Sequence, residues 1–303
     1  MAVTLFIVSI VIFSVTELLP GDVAVMILGS EATDDTLAAL RTQLGLDRPA
    51  PARYLDWLSG AARGDFGESL RMRTDVGPLV LERLKNSLAL AGIALAIGVP
   101  LALGLGIIAG LRKGRPADKV ITVTTLLGIS VPEFVIGSVL IMLFASIWPI
   151  LPATSMIDPS GNPLENVKFL ILPAVTLVFV TLAHTARMTR SSVIRVMRTD
   201  YVRTATLKGM PRGRIILRHV LPNALLPSIT VIALNIGWMI GGLIVVETVF
   251  AYPGLGQLMI FAVTNRDVPL VQAVALLVAL IYALANLGAD LLYAVLNPRI
   301  RYS

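Results

Sequence analysis

The stretch DYVRTATLKGMPRGRIILRHVLPNALLP, residues 200–227, lies between two long apolar segments and is rich in arginine. Its first part is compatible with a short helix that ends at Gly209, and Pro211 reinforces that end because proline cannot continue a helix. A second amphipathic segment follows, and Pro222 and Pro227 predict a bend where it meets the next apolar segment. The stretch therefore predicts a helix–turn–helix that projects between two apolar helices. Residues 190–208, which overlap the first part of this stretch, are also compatible with a helix that carries arginines around its surface.

The composition outside this stretch is that of a membrane protein. The chain has 303 residues, of which 56% are hydrophobic and 15% are charged, whereas a soluble domain carries about 25% charged residues. There are no cysteines, which excludes disulfides and thiolate metal sites, and His184 and His219 are too few for a histidine-rich metal centre. The net charge of +6 is attributed to loops on the cytoplasmic side of a membrane and not to nucleic-acid binding.

Hydropathy predicts an all-α polytopic protein with six transmembrane helices. A helix needs roughly 20 apolar residues to cross a bilayer, and the runs that qualify lack the alternation of barrel strands. The predicted spans are 1–19, 88–111, 120–147, 170–186, 228–250 and 270–295. The chain thus divides into a first helix, a 20–87 segment outside the membrane, and an 88–303 transmembrane core with a cytoplasmic loop at 187–222.

The distribution of basic residues predicts the orientation. Four lysines and arginines lie in 112–119 and nine in 187–218, whereas the opposite short loops hold only Lys168 and Arg266. Because short cytoplasmic loops are enriched in basic residues, both termini are expected in the cytoplasm. The start of the chain lacks the charged flank and cleavage site of a signal peptide, so the first helix is expected to be retained.

The segment at 20–87 is expected to form helices outside the membrane. Thr33 and Asp34 can cap one helix that ends at Gly45, and a second amphipathic stretch with Tyr54 and Trp57 follows. It is either a small cap that packs on the membrane domain or a platform for an outer partner. The residues leave both open.

Basic charge alone would also suit contact with lipid headgroups. That explanation does not account for the spacing of a small residue, a glycine and a Leu-Pro pair. The loop resembles the EAA loop of ABC importer permeases, which reads EAA, three residues, G, nine residues, I-x-LP. Here the pattern is Arg203-Thr204-Ala205, then Gly209, then His219-x-Leu221-Pro222. Arginine, threonine and histidine replace the family's glutamate, first alanine and isoleucine.

The resemblance extends along the chain to the dipeptide, oligopeptide, glutathione and nickel permeases, of the dipeptide-permease B type. The motifs that carry it are LPGD (19–22), LGLDRP (44–49), GDFGES (64–69), ISVPEF (129–134), VVETVFAYPGLGQL (245–258), NRDVPLVQ (265–272) and NPRIR (297–301). It implies a type I ABC importer fold in a bacterial inner membrane. It also implies a second homologous permease, two ATPase subunits and an extracytoplasmic substrate-binding protein as partners.

The resemblance assigns the ATPase-coupling helix to about 200–210. The residues of the coupling loop are Asp200, Arg203, Ala205, Lys208, Gly209, His219, Leu221 and Pro222. Ala205 and Gly209 would allow close approach of the ATPase, and Arg203 and Lys208 would contact acidic or backbone acceptors. The chain lacks a P-loop motif, so ATP and magnesium are expected on the partner ATPases, with no catalytic residue, cofactor or metal here.

Polar residues within the spans are candidates for the pathway or its gate, because charges at membrane depth usually face a partner or a cavity. Pro132 and Glu133 predict a kink in the third span, with the carboxylate facing the pathway or holding the kink by a hydrogen bond. Glu247, Pro253 and Gly254 predict a gate or re-entrant segment. His184 is interpreted as an interfacial residue at the end of span four, and Asn235, Asn286 and Asp290 as sources of interhelical hydrogen bonds.

Two other functions remain to be compared with an ATP-driven importer of peptides or related solutes. An ion-coupled secondary transporter would show inverted repeats, broken helices near the midplane and coupling carboxylates. A membrane enzyme would need a cluster of nucleophile, base or metal ligands. Neither the repeats nor such a cluster is visible in the sequence.

Overall fold

The computed structural model describes residues 1–18, 33–43, 47–156 and 163–296. The LPGD motif, the predicted helix end at Gly45 and the NPRIR motif lie outside these residues. In the described part the secondary structure is helical, apart from an isolated antiparallel bridge between Glu68 and Asp75.

Thirteen helices are numbered here in chain order within the described residues. They are α1 (Ala2–Leu18), α2 (Asp34–Gln43), α3 (Ala50–Ala62), α4 (Val76–Leu111), α5 (Pro116–Ser130), α6 (Glu133–Ile141), α7 (Pro163–Val196), α8 (Asp200–Leu207), α9 (Arg212–Ile215), α10 (Leu221–Ala224), α11 (Leu226–Val249), α12 (Leu255–Thr264) and α13 (Val268–Leu296). Two π-helical turns, Met142–Ile147 and Ile216–Val220, continue α6 and α9.

Fewer helices meet the length and hydropathy of a membrane span than the sequence predicts. Within the described residues, α4, α11 and α13 are long and apolar enough, and counting two bent helices as one span each raises the number to five. One is the pair α5–α6, which bends by 105°, and the other is α7, which bends by 40° next to Phe179. The helix α1 has 17 residues, which is short of the roughly 20 that cross a bilayer.

The helix bounds also differ from the predicted spans. The helix α4 begins at Val76, not at residue 88, and has 36 residues, or about 54 Å at 1.5 Å per residue. The charged residues at 82–85 ended the apolar run in the sequence but do not end the helix. Likewise α7 continues ten residues past the predicted end of span four, through a segment that carries arginines.

The chain divides into two compact units, each described separately. The first consists of residues 1–85 and 258–283. In it, the Ser9 and Tyr54 hydroxyls lie 2.9 Å apart and join α1 to α3. Phe13 packs edge-on against the Tyr54 ring, and Arg53 pairs with Glu17. The predicted helix around Tyr54 is therefore an amphipathic helix whose aromatic residues contact α1.

Asp267, at the start of α13, organises the loop at 69–71 in the same unit. Its carboxylate accepts hydrogen bonds from the Ser69 hydroxyl at 2.5 Å and from the backbone N–H groups of Leu70 and Arg71 at 3.3 and 3.2 Å. The Asp267 side chain is fully buried. One carboxylate therefore connects two segments that are almost 200 residues apart in sequence.

The second unit, residues 86–257 and 284–303, has α7 at its centre, packed against α5, α6 and α11. Three glycines of α4 also face α7, because a Cβ atom at Gly98, Gly106 or Gly110 would come within 3.0 Å of an α7 atom. These glycines therefore permit close packing within the chain, as small residues do between membrane helices. Asn235 donates to the Thr185 hydroxyl at 3.1 Å, which confirms its predicted interhelical hydrogen bond.

Candidate functional site: the loop before α11, the turn after α11 and the helix break

The loop between α7 and α11 begins with the short helix α8. Thr199 has extended backbone and separates α8 from α7, so residues 190–208 form two helices, not one. After Leu207 the chain turns through Gly209, whose φ of +72° lies in the left-handed region that favours glycine. The Gly209 N–H donates to the Thr206 carbonyl at 3.0 Å. The predicted short helix with a glycine at its end is confirmed.

The helix α8 has one face on its own chain and one face exposed. Val202 and Ala205 are buried, and they pack in a cluster with Val193, Ile215, Val220 and Ala224. The exposed residues of this segment are Asp200, Tyr201, Arg203, Thr204, Thr206, Leu207, Lys208 and Gly209. The close approach predicted for Ala205 is therefore made to its own chain, whereas Arg203, Lys208 and Gly209 are accessible to a partner.

The second half of the loop returns to the same cluster. His219 and Leu221 are half-buried and Pro222 is exposed. Pro222 lies in the first turn of α10, directly after the π-helical turn, and it contributes no N–H there. The Asn223 side chain donates to the His219 carbonyl at 2.9 Å. The Leu-Pro pair thus begins a short helix that leads into α11.

Arg190 of α7 binds Asp118 in the first turn of α5. Through Asp118 it is also connected to the loop that precedes α5. Its guanidinium donates two hydrogen bonds to the Asp118 carboxylate, at 2.5 and 2.9 Å. Asp118 also accepts from the backbone N–H of Gly114 at 2.8 Å. Sequence reasoning assigned Arg190 only to the general positive charge of the cytoplasmic side, and Asp118 was not singled out.

Glu247, near the end of α11, is fully buried. One carboxyl oxygen accepts from the Ser87 hydroxyl at 2.5 Å, and the other from the backbone N–H of Gly256 at 2.6 Å. The Ser87 oxygen in turn accepts from the Leu255 N–H at 2.8 Å. These contacts place the carboxyl group at the first turn of α12, whose N–H groups lack helical partners.

The residues between α11 and α12 form a tight turn around this carboxyl group. The Tyr252 hydroxyl donates to the Asn86 carbonyl at 2.9 Å, and the Asn86 side chain donates to the Pro253 carbonyl at 2.8 Å. Burial, together with the nearby Glu247 carboxylate, raises the pKa of Tyr252 to about 12, so the phenol remains a donor. A Cβ atom at Gly254 would lie 2.2 Å from the Glu247 carboxyl group. Only glycine fits there.

The chain breaks between α5 and α6 at Val131 and Pro132, both of which have extended backbone. A cavity of about 470 Å³ lies at this break. It is bounded by the end of α5, the start of α6 and one face each of α7 and α11; its polar side chains are those of Ser130, Glu133, Thr181, His184, Asn235 and Trp238. The predicted kink is therefore a full interruption of the helix, and Glu133 lies at the cavity beside it.

His184 is not at the end of its helix, because α7 continues to Val196. Its ring meets Trp238 of α11 edge-on, with 5.9 Å between ring centroids. The interfacial interpretation of His184 is thus replaced by a position on the cavity wall. Trp238 was not identified from the sequence, where a lone tryptophan in an apolar run carries no distinguishing signal.

Long apolar helices, a broken helix beside a polar cavity and an exposed amphipathic helix between two spans together define a multi-pass membrane transport subunit. The family described as binding-protein-dependent transport system inner membrane component matches residues 102–302, and the N-terminal part of such components matches residues 1–91. The chain belongs to this family. It is a permease subunit of an ABC importer and not an enzyme, since ATP hydrolysis is carried out by a separate subunit.

Curated relatives match almost the whole chain. A probable peptide ABC transporter permease of Sinorhizobium fredii is 38% identical over 97% of this chain and 94% of its own length. The glutathione transport system permease protein GsiC of Escherichia coli is 38% identical over 99% of this chain and 95% of its own. The di/tripeptide transport system permease protein DppB of Pseudomonas aeruginosa is 37% identical, also over 99% and 95%.

A solved structure has a similar fold. It is the crystal structure of an amino acid ABC transporter with histidines, and one of its chains superposes with a TM-score of 0.52 at 18% identity. The match covers 74% of this chain and 94% of that chain. At this identity the likeness concerns the fold alone, and it agrees with the ABC-permease fold class expected from the motifs.

Proposed function

We propose that this chain forms half of a pathway that imports peptides or closely related solutes, such as glutathione, across the bacterial inner membrane. The observation that carries the proposal is 37–38% identity over nearly the full length to permeases named for peptides, glutathione and di- and tripeptides. The other half comes from a second, homologous permease. An extracytoplasmic binding protein delivers the solute, and both termini lie in the cytoplasm.

Two ATPase subunits supply the energy, and one of them binds α8. The exposed face of α8 carries Arg203 and Lys208, which suit acidic or carbonyl acceptors in a groove of the ATPase. Beyond Gly209 no side chain obstructs the approach, because a Cβ atom there would have no neighbour within 4 Å. ATP and magnesium are bound by the ATPases, and this chain needs no cofactor of its own.

Closure of the ATPases on ATP would move α8, and the buried side of α8 would transmit the movement. Val202 and Ala205 share a cluster with Val193 of α7 and Ala224 of α10. Because packed side chains move together and not independently, a displacement of α8 would carry the start of α11 with it. The ion-coupled secondary transporter is not favoured, although a broken helix is present, because the family is driven by ATP.

The proposal can be tested by expressing the tagged chain together with its partner subunits. The complex is then purified by affinity in a mild detergent. We expect recovery of a second permease and of two ATPase subunits, with ATP hydrolysis in the purified complex. Recovery of the folded chain alone would contradict it. Lys208→Glu should reduce the recovered ATPase, whereas Lys113→Glu, which makes the same charge change in another exposed loop, should not.

A further inference from the structure

The break between α5 and α6 exposes backbone carbonyl groups at the cavity. Pro132 has no N–H, so the carbonyl of Gly128 has no donor four residues ahead, and the chain then bends by 105°. The Val131 N–H still closes onto the Leu127 carbonyl at 3.1 Å. The last carbonyls of α5, which carry the negative end of the helix dipole, therefore lie beside the cavity that Gly128 and Ser130 line.

Glu133 adds a full negative charge to the same cavity. It is half-exposed, and across the described residues no side chain or backbone group makes a hydrogen bond or ion pair with its carboxylate. The alternative that Glu133 holds the kink by a tertiary hydrogen bond therefore has no support. The Glu133 carboxylate lies next to Gly242, where an added Cβ atom would come within 3.3 Å of it.

The other walls of the cavity contain no lysine or arginine. Thr181 uses its hydroxyl within its own helix, donating to the Val178 carbonyl at 3.2 Å. Trp238 supplies an aromatic surface at the cavity, and the face of a tryptophan ring attracts cations. A carboxylate without a partner, carbonyl oxygens and this aromatic ring together select a cation that can donate several hydrogen bonds.

We propose that this cavity is a subsite for the protonated amine of the transported solute, with Glu133 as its counter-charge. The proposal rests on the proposed import of peptide-like solutes, whose free amino terminus is such a cation. An ammonium group has three N–H donors, which match the carboxylate and the carbonyls at the end of α5. The cavity has room for the amino-terminal part of a small peptide but not for a long chain.

The charge preference of the cavity can be measured without transport, because the chain contains no cysteine. In a Ser130→Cys variant of the complete complex, the thiol would react with a trimethylammonium or a sulfonate methanethiosulfonate reagent of similar size. After correction for their rates with a free thiol, we expect the cationic reagent to react about tenfold faster. Glu133→Gln should remove this preference, whereas Glu82→Gln, at an exposed site on α4, should keep it.

Uptake in proteoliposomes then tests the subsite itself, with labelled trialanine as the probe and the binding protein present. We expect trialanine to protect Cys-substituted Ser130 from the cationic reagent, and Glu133→Gln to raise the KM for trialanine about tenfold.

The outcomes separate the two proposals. Equal KM values for the wild-type and Glu133→Gln complexes, or a charge preference that survives Glu133→Gln, would overturn the amine subsite while leaving the importer intact. A complex that hydrolyses ATP but takes up no trialanine would overturn the peptide substrate class, and the subsite with it. If Glu133→Gln prevents assembly of the complex, Glu133 is a structural residue, unless Glu133→Asp restores both assembly and the KM.

Discussion

Arg190 and Asp118 form a two-pronged ion pair between helices whose paired residues are 72 positions apart in sequence. The Asp118 side chain is only 5% exposed and that of Arg190 is 28% exposed. Such a pair fixes geometry more than it adds free energy, but removal of one partner leaves the other charge without compensation. Arg190 lies on α7, ten residues before the start of α8.

Removal of the Asp118 carboxylate should therefore destabilise the permease. We expect Asp118→Ala to lower the free energy of unfolding by about 3 kcal/mol, because Arg190 and the Gly114 N–H both lose their acceptor. Thermal unfolding of the detergent-purified complex measures this. Asp290→Ala, at an exposed position on α13, is the matched control. The pair would be unimportant if Asp118→Ala and Asp290→Ala unfolded at the same temperature.

The stability of the site around Glu247 should depend on the shape and hydrogen-bond acceptors of this side chain more than on its charge. Glu247→Ala leaves the Ser87 hydroxyl and the Gly256 N–H without partners in a buried site, at a cost of about 1–3 kcal/mol for each group. Glu247→Gln keeps an acceptor for the backbone N–H groups, and its amide can donate to the Ser87 oxygen. We expect a much lower unfolding temperature for the alanine variant than for the glutamine variant. Equal losses would show that the negative charge is what the site requires.

The fit of Gly254 against Glu247 gives an independent prediction. A Cβ atom at Gly254 would overlap the carboxyl group, so Gly254→Ala must displace either Glu247 or the turn. Gly92→Ala adds the same methyl group where no atom lies within 4 Å. We expect only Gly254→Ala to lower the yield of folded protein and the uptake of solute. A normal Gly254→Ala complex would contradict the packing described for the turn between α11 and α12.

Asp267 offers a local test in the first unit. The Asp267 carboxylate accepts hydrogen bonds from the Ser69 hydroxyl and from the backbone N–H groups of Leu70 and Arg71. In an asparagine, one of the two oxygens is replaced by an NH₂ group, which cannot accept these hydrogen bonds. We expect Asp267→Asn to speed the hydrogen exchange of the Leu70 and Arg71 amides about tenfold, which corresponds to ~1.4 kcal/mol. Unchanged exchange at these two amides would mean that the loop at 69–71 is held by other contacts.

Gly209 allows backbone strain to be separated from access to the ATPase. Its positive φ is costly for a β-branched residue but tolerable for asparagine. We expect Gly209→Val to abolish uptake and to weaken ATPase binding while the permease remains in the membrane. Gly209→Asn should bind ATPase more strongly than Gly209→Val if strain is the cause. If both fail equally, the side chain itself blocks the partner. Gly213→Val, a helical position with open space around it, is the control.

Sequence patterns predicted the elements that depend on local composition. Apolar runs identified the long helices, and the glycine at 209 identified the end of α8, because both signals lie within one segment of chain. The charges at 82–85 hid the start of α4, since charged residues end an apolar run without ending a helix.

Features that join distant segments were not predictable in the same way. The sequence near these residues gives no sign that Arg190 pairs with Asp118 or that Glu247 binds the Ser87 hydroxyl. The Pro132 position indicated a kink, but its 105° angle depends on how α5 and α6 pack on α7. The burial of Ala205 against its own chain is likewise a property of the folded loop.

The helix α8 separates two tasks between two sets of residues. Val202 and Ala205 hold it to the permease, whereas Arg203, Leu207 and Lys208 face outward. If α8 binds the ATPase as proposed, substitutions on the outer face would change which ATPase is recognised without disturbing the anchoring of the helix. A duplicated permease could then acquire a different ATPase through changes at a few surface positions while the rest of the chain stays the same.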